Sequence, residues 1–316
     1  MIARMVEAGY DNRSSKHSLS AMTESACHVL LTDHGLIRAS GEDATSFLHN
    51  LLTNDIKHLN EGEARHAGLC TPKGRLIATF LVWREGNDYL LMLSAEILPG
   101  ILKKLSMYVL RSKVKLTDAS QERRLVGVLG GALGPAEPMR TSPWGGGSAI
   151  RLDPHRLVLA LPADAPLPAE LPPAAELSAW HLAEIRAGMP RIVAATQEAF
   201  VPQMVNYELP AVGGVSFQKG CYPGQEIVAR SQYLGKVKRR MYRARFDSPV
   251  APGMEIFTPE AGEQHCGAIV LAAPSPEGGH EALLVVQSSG AEAGEIHVGS
   301  PNGPRAALLP LPYSLD

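Results

Sequence analysis

KGCYPGQEIVAR, Lys219 to Arg230, is the stretch whose reading decides the rest of the chain. It follows an apolar lead-in, GGVSF (Gly213 to Phe217), and runs out into a basic segment ending at Arg245. Pro223 near a first helical position and Glu226 in a first turn predict a short helix just after Cys221. The unpaired N–H groups and partial positive charge of a helix N-terminus favour a thiolate, as do the cations of Lys219 and Arg230. That setting predicts an acidic, reactive thiol at Cys221, tuned by Lys219, Glu226 and Arg230. The alternative is a cysteine that serves as a small buried hydrophobe. Two neighbouring glycines, Gly220 and Gly224, suit a backbone approached by a ligand better than a core position.

The same run, with YLGK (Tyr233 to Lys236) and KRR (Lys238 to Arg240) behind it, resembles the signature of the YgfZ-type folate-binding proteins. These are relatives of the glycine-cleavage T-protein, an aminomethyltransferase. Three further segments resemble that family in the expected order: SFLHNLLTNDI (Ser46 to Ile56), TPKGRL (Thr71 to Leu76), and IRAGMPRI with FVPQMVNYE (Ile185 to Ile192, Phe200 to Glu208). The resemblance implies a tetrahydrofolate-binding protein that supports synthesis or repair of iron–sulphur clusters in client enzymes, some of which modify tRNA. It also implies an α+β fold. A T-protein-like folate-binding domain in two subdomains is expected over residues 23–240, and a C-terminal antiparallel β-barrel over 241–316.

Composition sets the outer bounds. The chain has 316 residues and 45% apolar content, enough for two domains or one large one with an appendage. No apolar run approaches the ~20 residues of a membrane span. The first two dozen residues carry Arg4, Glu7, Asp11, Arg13 and Lys16 without an apolar stretch, which argues against a secretory signal. Residues 1–22 are expected to be a disordered extension. Cys27, Cys70, Cys221 and Cys266 are scattered, with no CxxC pair, so a closed zinc or cluster site from sequence neighbours is not expected. Free thiols fit a reducing, cytoplasmic compartment. His265 and Cys266 read as a structural pair or a metal pair.

The net charge of −2 hides an asymmetry. Residues 219–245 hold eight Lys or Arg against Glu226 alone, which leaves the remainder of the chain at −9. Such a strip suits a polyanion, either nucleic acid or the polyglutamate tail of a folate, or is simply a solvated surface.

Periodicity places the elements. Val29 to Ala39 reads as a strand or a hairpin near Gly35. Asp43 is expected to cap a helix carrying Phe47, Leu48, Leu51 and Leu52. Strands are expected at Leu76 to Trp83 and Tyr89 to Leu93, then a helix from Ser94 through Val109 and a returning strand at Val114 to Leu116. A second block holds strands at Leu125 to Leu129, Arg151 to Leu152 and Leu157 to Leu161, with exposed loop over 130–147. Five prolines between Pro162 and Pro173 predict an extended connector, and Ala174 to Ala187 a helix closed by Gly188. Beyond Arg245 short strands and turn residues alternate at the spacing of a small barrel.

On the helix before Gly188, Trp180 and Glu184 stand four residues apart and share a face. An aromatic plane and a carboxylate are what a pterin ring needs, so Trp180, Glu184, Lys73, Arg75 and Tyr233 are candidate folate contacts, set against the alternative that Trp180 is core. The family's acidic residue before its Ala-Gly pair is replaced here by Arg186, which is expected to hold a folate carboxylate instead. A true aminomethyltransferase is an alternative. T-proteins carry acidic residues just after the glycine turn, whereas Arg75 to Phe80 reads RLIATF. A third alternative is RNA or tRNA binding through residues 236–245, although aromatic residues there are sparse and no RNA-binding signature is visible.

Overall fold

The computed structural model describes residues 26–315 except 234 and 236; the extension expected over 1–22 lies outside the described residues. β1 (Cys27–Leu30) and β2 (His34–Ser40) are consecutive but enter different sheets, so the hairpin expected near Gly35 does not form. α1 (Ala44–Leu51) follows, then β3 (Ala64–Cys70), β4 (Leu76–Glu85), β5 (Asp88–Ser94), α2 (Leu98–Val109) and β6 (Lys115–Asp118). Next come β7 (Arg123–Leu129), β8 (Thr141–Trp144), β9 (Gly147–Asp153), β10 (Arg156–Pro162), α3 (Leu177–Arg186) and α4 (Gln225–Tyr233). The last stretch holds β11 (Arg239–Phe246), β12 (Glu255–Phe257), β13 (Gly267–Pro274), β14 (His280–Gln287), α5 (Ser288–Ala293), β15 (His297–Val298) and β16 (Ala307–Leu309).

Three antiparallel sheets result. The first runs β3-β4-β5-β2-β6, the second β1-β7-β10-β9-β8, and the third β15-β12-β13-β14-β11-β16. Period-two alternation divides the first sheet between two cores. Ile37, Phe80, Val82 and Leu91 face α1 and α2, packing on Phe47, Leu48, Ile101 and Leu105. Leu36, Leu81, Trp83 and Leu90 face the other way, onto Val158 and Ile150 of the second sheet and Trp180 of α3. β14 repeats the pattern: Ala282, Leu284 and Val286 fill a curled antiparallel half-barrel, while Leu283 and Val285 pack towards α3 and Tyr207.

Local differences from the sequence reading have local causes. Asp43 does not cap α1 with its side chain; its carboxylate accepts the Lys113 backbone N–H at 2.7 Å. α3 begins at Leu177 rather than Ala174, because residues 173–175 are drawn into backbone bonds with β1, Ala175 N–H donating to the His28 carbonyl at 2.8 Å. β8 lies inside the segment expected to be loop, and α5 was not foreseen. No helix among the described residues is long and apolar enough to cross a membrane.

Candidate functional site

Cys221 is exposed, on a loop that leads into α4. The loop is seated on the Thr71 to Arg75 turn, which closes on itself through Thr71 N–H to Arg75 O at 2.8 Å and Gly74 N–H to Thr71 O at 2.9 Å. Gly224, at φ +82, presses so close that a Cβ there would lie 2.4 Å from the Thr71 carbonyl oxygen. Gly74, at φ +72, faces Ile227 of α4 in turn. The two motifs therefore meet backbone to backbone, and glycine is required on both sides.

Lys219 does not act simply as a counter-ion for Cys221. Its Nζ donates to the carbonyls of His49 at 2.5 Å and Leu52 at 2.7 Å, satisfying the C-terminal end of α1, and it sits 4.7 Å from the centre of the Tyr222 ring. Burial pushes its pKa down to about 8, against the pull of Asp55 and Cys221. Glu226 and Arg230 are exposed on α4, one in its first turn and one in its last. Tyr233 is 69% exposed and stands edge-on to Phe217 at 5.9 Å.

A separate cavity of about 40 Å³ lies between the first two sheets and α3. Trp180 and Glu184 line it together, as do His34, His66, Arg156 and Arg191. Trp180 is fully buried, wedged against Gly127, and its indole Nε1 has no hydrogen-bond partner among the described residues. Glu184 is also buried. Its Oε2 lies 3.2 Å from Arg191 Nη2, and its Oε1 lies 3.7 Å from His34 Nε2, too far for a hydrogen bond. Asp33 holds the other side of this network, with His34 Nδ1 and His181 Nε2 each at 2.8 Å and Arg191 Nη1 at 3.0 Å.

The charges in this network support one another. Burial opposes ionisation of Glu184, but Arg191 and His34 outweigh it and hold the carboxyl at about 2. Burial and Arg191 both push His34 down, yet its contacts with Asp33 and Glu184 leave its pKa raised. His66, by contrast, is pushed down to about 4 by burial and by Arg156.

The structure thus brings Trp180 and Glu184 to one cavity but leaves the other expected folate contacts elsewhere. Arg186 points towards the half-barrel and pairs with Glu281 at 2.9 Å. Lys73 is exposed on its turn, and Arg75 donates to the Ala199 carbonyl. Neither they nor Tyr233 nor Cys221 line the cavity. The cysteine loop and this cavity are two separate places. Asp33, His34, His181 and Arg191 were missed in the sequence, where only the i, i+3 spacing of His181 and Glu184 on one helix hinted at them. The basic strip is largely neutralised from its middle onwards: Arg240 pairs with Glu208, Arg243 with Glu281 and Arg245 with Glu277. Cys266 is buried against Ile256 and Thr258, and no group of three or more metal-ligating side chains converges among the described residues.

Three sheets in this order, with α3 set between the half-barrel and the other two, are the T-protein fold. The solved glycine cleavage system aminomethyltransferase T from Bartonella henselae superposes with a TM-score of 0.68, covering 90% of this chain and 85% of that one at 16% identity. The GCVT N-terminal domain model matches residues 11–132. Within that fold the chain belongs to the YgfZ family. It is 30% identical over 314 residues to the tRNA-modifying protein YgfZ of Shigella boydii serotype 4, covering 91% of this chain and 93% of that protein. The protein of the same name from Vibrio vulnificus strain YJ016 is 29% identical, with 91% and 92% covered.

Proposed function

We propose that this chain binds a reduced folate through its pterin head in the cavity and acts in tRNA modification by supporting iron–sulphur enzymes, with Cys221 as its reactive group. The observation that carries the folate part is the unmatched polarity of the cavity. The Trp180 Nε1–H and the His34 Nε2–H lack acceptors among the described residues, and the Glu184 carboxylate is kept ionised beside them. A pterin offers ring nitrogens and a carbonyl to the two donors, and an amino group to the carboxylate. Leaving buried donors unpaired costs about 1–3 kcal/mol each, which a ligand of matching polarity returns. The cavity is narrower than a bicyclic ring, so the flexible Met189 and Leu152 side chains that line it must turn aside on binding. When bound, the folate supplies a carrier for one-carbon units. The chain's own residues bind and orient its head and keep water from it.

The second part rests on the accessibility of Cys221 and on the names of the relatives. A solvent-facing thiol is open to a protein client or to a nucleic acid, and the relatives are named for tRNA modification. Titration with tetrahydrofolate and its one-carbon forms, followed by tryptophan fluorescence, tests the first part. A saturable change that disappears in Trp180→Phe and weakens at least tenfold in Glu184→Gln is expected. Absence of any saturable signal refutes folate binding. Cys221→Ala is expected to leave that titration unchanged while abolishing cellular support of iron–sulphur enzymes, and an unimpaired Cys221→Ala strain removes the cysteine from the account.

A further inference from the structure

Lys219 apart, the described cations of residues 219–245, taken with Lys73 of the neighbouring turn, fall into two groups. Arg240, Arg243 and Arg245 are tied to carboxylates. Lys73, Arg230, Lys238 and Arg239 have no carboxylate partner among the described residues; Arg230 lies on α4, Lys73 on the turn packed against it, Lys238 just before β11 and Arg239 at its start. Lys73 sits on the turn against which Gly224 and Ile227 press. Arg230 and Tyr233 follow Ile227 at i+3 and i+6 along α4. The start of β11, next to Lys238, is tied to α4 through Gln203: its Nε2 donates to the Val228 carbonyl at 2.7 Å, and its own carbonyl accepts from Arg240 at 3.1 Å. Within α4 the sole carboxylate is Glu226.

We infer that these four cations and Tyr233 form a docking face for a single-stranded loop of RNA, placed so that a nucleotide comes beside Cys221. Unpaired cations on a folded surface are matched by phosphates, whose counterions are released on contact. Tyr233 adds what a phosphate site alone lacks. It is 69% exposed, and Phe217 supports it edge-on at 70°, so a face of its ring is open to an unstacked base. A protein partner fits less well, because a protein interface is built around an apolar centre, and only Ile227 and Tyr233 are large exposed hydrophobics on α4. The inference rests on the tRNA-modification reading only for the choice of RNA as the polyanion.

The test uses the full chain and a fluorescently labelled single-stranded RNA, with anisotropy measured across a salt series. Affinity is expected to fall steeply with salt. Arg230→Gln and Lys238→Gln should each flatten the slope of log affinity against log salt by about 0.7. Tyr233→Leu should weaken binding roughly tenfold or more at unchanged slope. Arg245→Gln, which removes a cation already paired with Glu277, should behave as the parent. The inference is overturned if RNA does not bind at low salt, or if Tyr233→Leu binds as the parent does. It is also overturned if polyglutamate of equal charge displaces the RNA as well as unlabelled RNA does, which points to an acidic protein or a folate tail. Failure here with an intact folate titration removes the docking face alone; loss of the folate signal with RNA binding intact removes the folate reading alone.

Discussion

Gly224 and Gly74 meet so closely that a Cβ on Gly224 would lie 2.7 Å from the Gly74 Cα. Both also hold backbone angles that favour glycine. Gly224→Ala is therefore expected to destabilise the protein by about 1–3 kcal/mol, since neither backbone can yield. Urea unfolding checks this. Gly86→Ala, also at positive φ but with nothing within 4 Å, should cost less.

A Cβ on Gly127 would lie 2.4 Å from the Trp180 ring. Gly127→Ala should cost about 1–3 kcal/mol through overpacking and push the indole from its place. Near-ultraviolet circular dichroism is expected to change, and the folate-dependent fluorescence signal to be lost, although Gly127 does not line the cavity.

Glu184 makes stability depend on acid. Its folded pKa of about 2 lies below the ordinary 4.5, so its contribution is complete above 4.5 and is lost as pH falls towards 2. His34 acts in the opposite sense: its raised pKa gives a contribution complete below 6.5 and lost as pH rises through the folded value. Glu184→Gln should shrink the acid limb of the pH profile, to which Asp33 also contributes, and cost about 1–3 kcal/mol at neutral pH, because Arg191 and His34 are left with Asp33 alone.

Lys219 is a base whose folded pKa, about 8, lies below the ordinary 10.5. Between these values the unfolded chain holds more protons, so this residue makes stability rise with pH across that window. Urea midpoints at pH 7.5, 8.5 and 9.5 for parent and Lys219→Met isolate the effect. The difference between the two should change across the series, and the variant should be less stable throughout, since the carbonyls of His49 and Leu52 lose their donor.

The features legible in sequence were those set by short-range pattern. The apolar strands on either side of Gly86, the helical spacing of Phe47, Leu48 and Leu51, and the five-proline connector all register in a window of a dozen residues. Trp180 and Glu184 were placed on one helical face by the same logic, and they do share a cavity. What escaped depends on contacts far apart in the chain. Nothing near Asp33 indicates that it will meet Arg191, and nothing near Arg186 indicates that Glu281 will claim it. Lys219 was read as a partner for the cysteine two residues away, whereas its ammonium is committed to a helix end some 170 residues earlier.

The Glu281 carboxylate is shared by Arg186 of α3 at 2.9 Å and Arg243 of β11 at 2.7 Å. That makes the half-barrel a buttress rather than a passenger. Cutting the chain after residue 238 would take the Glu281 carboxylate from the helix that carries Trp180 and leave a bare apolar flank where Leu283 and Val285 had rested. The severed fragment is expected to clump on expression instead of yielding a trimmed, working protein.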